Sequence, residues 1–320
     1  MAGIKENTTQ VPLVSVVITT KNEEKNISNC LESVKLQTWL NTEIIVVDNS
    51  STDNTQFIAR KYTEKVFAKG PERSAQRNYG MIEKACGYYV IYIDADMILS
   101  PILIEACVEY IQESGAVALH VPEIVMGKKY FSRVRRFERS FYDGTPIDGA
   151  RFFHRQSFVN VGGFDEHLFK KGSGEDWDID KMMKRLGPIE LLPRFSNING
   201  DQLWIMKDFV EKRGLVFEHR YTGVYHNETE FSLIPYLKKK FYYSLGFDGY
   251  INKWGKNDPD IRRQFGIAYR FWIVFTEQGK WKRLLARPDL AIGMYFLRFI
   301  VGIIFLIKLI IKQRASIFKD

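Results

Sequence analysis

Tyr88–Asp96 reads YYVIYIDAD. Its first six residues are apolar or aromatic with no polar alternation, the pattern of a strand buried on both faces. It ends abruptly in two carboxylates one residue apart. Working outward, Val14–Thr20 (VSVVITT) and Glu43–Asp48 (EIIVVD) repeat the design: a β-branched core run closed by polar residues. Between these strands lie helical stretches. Asn22 is positioned to cap a helix over Glu24–Gln37, with Ile27, Leu31 and Val34 on one stripe. A Ser51-Thr52-Asp53 cap leads a helix to about Tyr62, and Glu72–Ala85 reads as a third. A brief strand near Val66, a helix Ile102–Glu113 and a strand Ala116–Val121 complete the alternation. Such βαβ order predicts an α/β fold, a mostly parallel sheet flanked by helices on both faces.

The polar residues gather at strand ends: Thr19-Thr20-Lys21-Asn22, Asp48, and Asp94-Ala95-Asp96. In open α/β sheets that edge is where ligands bind. The Asp94/Asp96 pair can share a hard divalent cation, or one can hold the ion while the other holds a ribose hydroxyl. Mg²⁺ and Mn²⁺ favour few carboxylates plus substrate phosphate oxygens, which suits a nucleoside diphosphate. The competing reading is an acidic turn that caps the next helix. Asp48 is placed either to accept from the imino N–H of a base or to cap the turn that follows it. Walker loops, GxSxG elbows and zinc clusters are absent from the sequence, so phosphates fall to a metal and to arginines.

The ordered set VSVVITTKNEEKNI, EIIVVDNSSTDNT, RSAQRNYG, YYVIYIDADM, GGFDE and GEDWDID, over roughly residues 12–230, resembles family 2 glycosyltransferases of the GT-A fold. The resemblance implies an inverting enzyme that depends on Mn²⁺ or Mg²⁺ and takes its sugar from a nucleoside diphosphate, with UDP expected. It implies that Thr19, Thr20, Asn22 and Glu23 surround the nucleotide. Asp48 would contact the base, Arg73 or Arg77 would neutralise phosphate or base oxygens, and Asp94 would meet the ribose or a metal-bound water. Asp96 would ligate the metal. In Glu175-Asp176-Trp177-Asp178, opening a helix over Trp177–Leu186, Asp176 would be the base that takes the acceptor proton and Glu175 would orient it or hold acceptor hydroxyls. The alternative is negative charge placed at a helix N-terminus.

On the acceptor side stand Trp177, as a stacking surface for a sugar, and the segment Asp148–Asp165, with a tight bend at Gly162-Gly163. Phe152 and Phe153 read as core and His154 as a packing residue. His226 is either a further metal or diphosphate ligand or a structural histidine; His219 and His120 carry less weight as ligands. The chain departs from the family in an added helical stretch, DQLWIMKDFVEKRG, after Leu186.

The charge distribution divides the chain into a glycosyltransferase domain, 1–230, and a basic, aromatic docking region, 231–320. The 320 residues carry a net +8, but residues 236–320 alone hold 17 Lys and Arg against 6 Asp and Glu. The same segment has 18 of the 45 aromatics. Lys238-Lys239-Lys240 with its neighbouring aromatics, and Trp254, Trp272 and Trp281, suit an anionic membrane surface. Residues 290–311 (LAIGMYFLRFIVGIIFLIKLII) are too apolar for a nucleic-acid face. Arg298 and Lys308 interrupt them, and a span needs about 20 apolar residues. On a helical wheel Arg287, Arg298, Lys308 and Lys312 fall within about 80°. The expectation is therefore a helix lying in the membrane surface with its charges at the headgroups; a tilted span and a helix packed within a soluble domain are the alternatives.

Cys30, Cys86 and Cys107 are odd in number and widely spaced, which favours a reducing compartment. MAGIKENTTQ has no secretory h-region. The expected setting is the cytoplasmic membrane face and the expected acceptor a hydroxyl of a lipid-linked saccharide or glycan. Rival readings are a polyprenyl-phosphate sugar synthase and a non-catalytic membrane-binding module.

Overall fold

The computed structural model describes residues 11–168, 174–193, 222–229, 231–244 and 246–317, with side chains omitted for 244 and 308–317. The first half alternates strands and helices in the order β1 (Val14–Thr20), α1 (Ile27–Lys35), β2 (Thr42–Asp48), α2 (Thr55–Ala59), β3 (Val66–Ala68), α3 (Arg73–Asn78) and β4 (Tyr89–Asp94). There follow β5 (Met97–Leu99), α4 (Leu103–Ser114), β6 (Ala118–His120), β7 (Glu123–Met126), α5 (Tyr130–Arg139), β8 (Ala150–His154) and α6 (Arg155–Asn160). The chain continues through α7 (Glu175–Met183), β9 (Ile189–Leu191) and β10 (Val224–Asn227).

Seven strands form one sheet in the order β3-β2-β1-β4-β8-β6-β9. Neighbours run parallel except where β8 pairs antiparallel with β4 and β6. Every residue of β1 is buried. Val14, Val16 and Ile18 face Ile27, Cys30 and Leu31, whereas Val17 joins Ile45, Met81 and Phe153 on the opposite side. That period of two with both faces covered is why the strand reads as an unbroken apolar run. Phe152 and Phe153 are core, one on each face. A second sheet, β5-β10-β7, lies outside the expected alternation. It places His226 of β10 opposite Met97, beside the Asp94/Asp96 turn.

Several local expectations are corrected. Asn22 does not cap a helix: it sits at φ 55°, and its Oδ1 accepts from the Thr52 N–H at 2.8 Å, tying the β1 loop to the β2 loop. The helix accordingly starts later, at Ile27. Asn54, not the Ser51-Thr52-Asp53 run, occupies the next N-cap; Asp53 just before it accepts from the Thr55 N–H at 3.0 Å, and that helix ends at Ala59. The Glu72–Ala85 helix divides into α3 and a π-helical stretch, Tyr79–Lys84. Gly162 and Gly163 both adopt positive φ, 83° and 70°, as the tight bend requires. The added stretch 201–214 and His219 lie outside the described residues.

The tail is helical: α8 (Leu233–Ser244), α9 (Phe247–Trp254), α10 (Pro259–Phe265), a π-helical turn Tyr269–Ile273, α11 (Val274–Thr276), α12 (Trp281–Ala286) and α13 (Pro288–Ile317). It shares a core with the first part, where Val134, Phe141 and Ile147 pack with Tyr269, Phe275, Met294 and Leu297. Arg298 overturns the expectation of charges at headgroups. It turns inward: Nη1 donates to Glu138 Oε1 at 2.8 Å and to the Tyr142 hydroxyl, and Nη2 donates to the Arg270 carbonyl. Its guanidinium lies over Phe271 and Phe275, so the fold compensates this charge without lipid headgroups. The apolar residues are left outside: Ile292, Phe296, Phe299, Ile303 and Leu306 are exposed. Pro288–Ile307, with a mean hydropathy of 2.4, is long and apolar enough to cross a membrane by length and composition. The Lys308 and Lys312 side chains lie outside the described residues.

Candidate active site

β1 and β4 end side by side, with Thr19 opposite Asp94 in the register. Thr19 Oγ1 donates to Asp94 Oδ1 at 3.1 Å. The same oxygen receives Arg77 Nη2 at 3.4 Å, while Arg77 Nη1 reaches Asp176 Oδ1 at 3.0 Å. Arg77, from α3, is 2% exposed and rests on the Tyr92 ring, 4.1 Å to its centroid. Burial works against the Asp94 charge, but Arg77, Arg151 and Arg73 outweigh it and hold the carboxyl well below the usual range. Asp94 therefore stays an anion.

Asp176 stands in the first turn of α7 with its side chain 40% exposed. Tyr92 donates its hydroxyl to Asp176 Oδ1 at 2.9 Å, so both of these contacts fall on one oxygen. Burial, with Asp176 beside it, raises the Tyr92 phenol well above its ordinary value and keeps it a donor. The backbone leaves room for this carboxylate because residue 149 is glycine: a Cβ there would lie 2.7 Å from Asp176 Cβ. Glu175 is 2% exposed and pairs with Arg73 Nη2 at 2.8 Å. Burial and the adjacent Asp176 raise its carboxyl above the usual range despite Arg73.

The second carboxylate of the turn faces the smaller sheet. Asp96 Oδ2 lies 3.0 Å from His226 Nε2, and His226 Nδ1 lies 3.2 Å from Glu123 Oε1. Burial would lower the imidazole, but Asp96 and Glu123 push it up to about 10. Glu123 is itself held by Arg151 Nη2 at 2.7 Å and Arg139 Nη2 at 3.1 Å. Among the described residues no group of three His, Cys, Asp or Glu side chains is arranged to hold an ion. The fit to a divalent cation rests on Asp96, whose Oδ1 is buried without a hydrogen-bond partner. Mg²⁺ and Mn²⁺ take one or two carboxylates completed by water and substrate phosphates, and His226 would join them only by giving up a ring proton that Asp96 and Glu123 now stabilise.

Thr20 Oγ1 is buried and unpartnered at the same edge. Glu23 accepts from Asn26 Nδ2 at 2.7 Å. Its carboxyl is raised by burial, with Asp96 and Asp94 adding to the effect. Three sequence assignments change. Asp48 is fully buried, and its oxygens accept from the Ser51 N–H, the Ser51 hydroxyl and Gln56 Nε2, which is the turn-capping role rather than a free base-contacting carboxylate. Trp177 does not offer an open sugar platform: it stacks on Phe247, meets Tyr250 and Phe265, and donates to the Ile147 carbonyl at 3.0 Å. Asp148 is buried under Arg139 and the Gly144 N–H, not on an acceptor surface.

His120 lies between Asp180 and Asp148, and His154 packs its edge on Tyr88. Tyr92, Glu123, Arg139 and Arg151 are the members the sequence reading missed. The signal for Arg151 was a lone charge in ARFFH, and for Tyr92 a hydroxyl near the end of a buried strand.

The profile described as Glycosyl transferase family 2 matches residues 15–165. Glycosyltransferase AglE of Haloferax volcanii is 27% identical over 279 residues, 83% of this chain and 82% of AglE. Glycosyltransferase GlyG of Streptococcus pneumoniae is 32% identical over 124 residues, but that match spans only 37% of this chain and 39% of GlyG. A solved mannosyltransferase, PcManGT from Pyrobaculum calidifontis in complex with GDP-Man and Mn²⁺, covers 93% of this chain and 88% of its own at 17% identity, with a TM-score of 0.55. That last likeness is one of fold. With the motif order, the mostly parallel sheet and the carboxylates at its edge, these matches identify residues 15–165 as a family 2 glycosyltransferase domain on a GT-A type fold.

Proposed function

We propose that this enzyme transfers a sugar, with inversion, from a nucleoside diphosphate sugar to a hydroxyl of a lipid-linked saccharide at the cytoplasmic membrane face. The observation that carries the reading is the Asp176 carboxylate, partly exposed and fixed through Oδ1 by Arg77 and Tyr92. A base held at one oxygen has the other for the acceptor proton, and fixing it before reaction removes an ordering cost. Glu175, clamped by Arg73, fixes the start of α7. Arg73 itself is 31% exposed, close enough to solvent to meet a phosphate. Asp94 holds a ribose hydroxyl from its place between Thr19 and Arg77.

Asp96 and His226 would hold Mn²⁺ or Mg²⁺, which when bound offsets negative charge on the departing diphosphate. UDP is the expected nucleotide; PcManGT was solved with GDP-Man, so both belong in the assay. Residues 231–320 serve as the docking region, because the outer face of α13 is apolar.

The test is a screen of UDP and GDP sugars with Mn²⁺ on vesicles carrying lipid-linked acceptors, with the anomer of the product read by NMR. An inverted product and a loss of roughly 10²–10⁴-fold in turnover for Asp176→Asn are expected. Near-wild-type turnover in that variant, with transfer intact, would overturn Asp176 as the base and favour an acceptor that is already an anion.

A further inference from the structure

Asp176 stands on a helix start that its own sequence does not secure. The N-cap of α7 is Gly174, at φ 91°, which has no side chain to accept an N–H. Glu175, Asp176 and Asp178 then crowd three carboxylates into the first turn. Their charge suits the helix dipole, but their aim depends on partners brought from elsewhere in the chain.

Arg73 supplies one hold, on Glu175. The other comes from the tail, at the end of α9. Asp178 is 2% exposed and both of its oxygens are taken: Trp254 Nε1 donates to Oδ1 at 2.6 Å, and Lys253 Nζ donates to Oδ2 at 2.8 Å. A carboxylate that served only the helix dipole would stay in water; this one is buried and given two donors. Lys253 also donates to Asp165 Oδ2 at 3.2 Å, so one ammonium ties α7 to the turn that follows Gly162-Gly163.

Asp178 lies two residues beyond Asp176, about 200° around the helix, so the grip falls on the side away from the proposed base. The same side is held again further along. Lys181 donates to Asp258 Oδ1 at 2.6 Å, and Lys181 and Arg185 lie over the Trp254 ring, 5.1 and 4.7 Å from its centroid.

We propose that Lys253 and Trp254 are positioning residues of the transferase: by holding Asp178 they fix the first turn of α7 and aim Asp176 at the acceptor hydroxyl. The tail then serves catalysis as well as docking. This rests on Asp176 as the base, inferred above.

The test uses the full chain and the variants Trp254→Phe, Lys253→Met and Lys253→Arg, each alone and combined with Asp176→Asn. Turnover is read as UDP or GDP released from UDP-glucose, UDP-N-acetylglucosamine and GDP-mannose with Mn²⁺. Thermal shift with UDP or GDP and Mn²⁺ shows which variants fold, and hydrogen exchange over α7 reads the helix directly. Trp254→Phe and Lys253→Met should each lower kcat roughly 10- to 100-fold, with the donor KM within about twofold of wild type. Lys253→Arg should keep most of the activity, and exchange over α7 should quicken in Trp254→Phe. Combined with Asp176→Asn, the same substitutions should lower turnover by less than about twofold, because the group they aim is gone. Equal losses in both backgrounds would overturn the proposal by making the contacts merely structural. Unchanged exchange over α7, or wild-type kcat in the folded variants, would overturn it too. If Asp176→Asn alone turns over at the wild-type rate, the base reading falls and this one with it; a slow Asp176→Asn with equal losses in both backgrounds removes only this one.

Discussion

Arg77 and Asp176 are 99 residues apart in sequence and 3.0 Å apart in the fold. One guanidinium, shielded from water, joins a carboxylate at the end of β4 to a carboxylate at the start of α7. The relative placement of the proposed ribose-binding and base carboxylates therefore depends on one planar group. Arg77→Lys keeps the charge but cannot span both partners, and Arg77→Met leaves both anions without their shared cation. We expect the methionine variant to lose roughly 3 kcal/mol of stability in urea unfolding. The lysine variant should lose less stability yet transfer sugar at least about a hundredfold more slowly. Equal loss of turnover and stability across the two variants would argue that Arg77 acts only as a structural pair.

Glu123 faces His226 Nδ1 while Asp96 faces Nε2, so Glu123 fixes which ring nitrogen is turned to Asp96, the proposed metal ligand. Removing such a partner weakens metal binding at comparable histidines by about 10- to 100-fold. Glu123→Gln should accordingly weaken Mn²⁺ binding measured by electron paramagnetic resonance in the presence of nucleotide diphosphate, before any turnover is assayed. Unchanged Mn²⁺ affinity would mean that Glu123 serves Arg139 and Arg151 alone.

The gathering of Thr19, Asp94 and Asp96 at one sheet edge was legible because it is local. A strand end places its own carboxylates, so YYVIYIDAD announced both Asp94 and Asp96, and VSVVITT announced Thr19. Two of the misreadings concern partners supplied from far along the chain. Trp177 is apolar packing because Phe247 and Phe265 arrive from the tail. Arg298 faces inward because Glu138 of α5 is there to meet it, 160 residues away. On a helical wheel that residue belongs to a charged stripe, and no wheel contains the neighbouring helix. Asp48 differs: its capping partners Ser51 and Gln56 are nearby, so the turn-capping alternative was legible in the sequence.

A pH effect follows from the buried His120. Its Nε2 lies 2.6 Å from Asp180 Oδ2 and its Nδ1 3.7 Å from Asp148 Oδ2. Burial alone would lower its pKa, but the two carboxylates prevail and raise it. A histidine raised in the fold stabilises fully below its unfolded value of about 6.5, and that contribution fades as pH climbs through the folded value. The stability difference between wild type and His120→Gln should therefore be largest near pH 6 and shrink above pH 7. Urea titrations across that range measure it, and a difference constant with pH would refute the charged pair.

The tail offers a contrast between two neighbouring residues of α13. Phe299 is 64% exposed on the apolar side, whereas Arg298 is inside, on Glu138. If α13 docks on lipid by its apolar face, Phe299→Asp and Ile292→Asp should each weaken binding to anionic vesicles. Withdrawing one large apolar side chain costs about 1.5–3 kcal/mol, or roughly ten- to a hundredfold in partitioning. Both positions face away from the core, so melting temperature should hardly move. Arg298→Met should behave in the opposite sense, lowering the melting temperature by taking one of two arginines from the buried Glu138 while leaving affinity for anionic vesicles close to wild type. A helix that sent Arg298 to headgroups would give the reverse pattern, with binding lost at Arg298 and stability spared, so melting and vesicle sedimentation on these three variants decide which face of α13 meets the membrane.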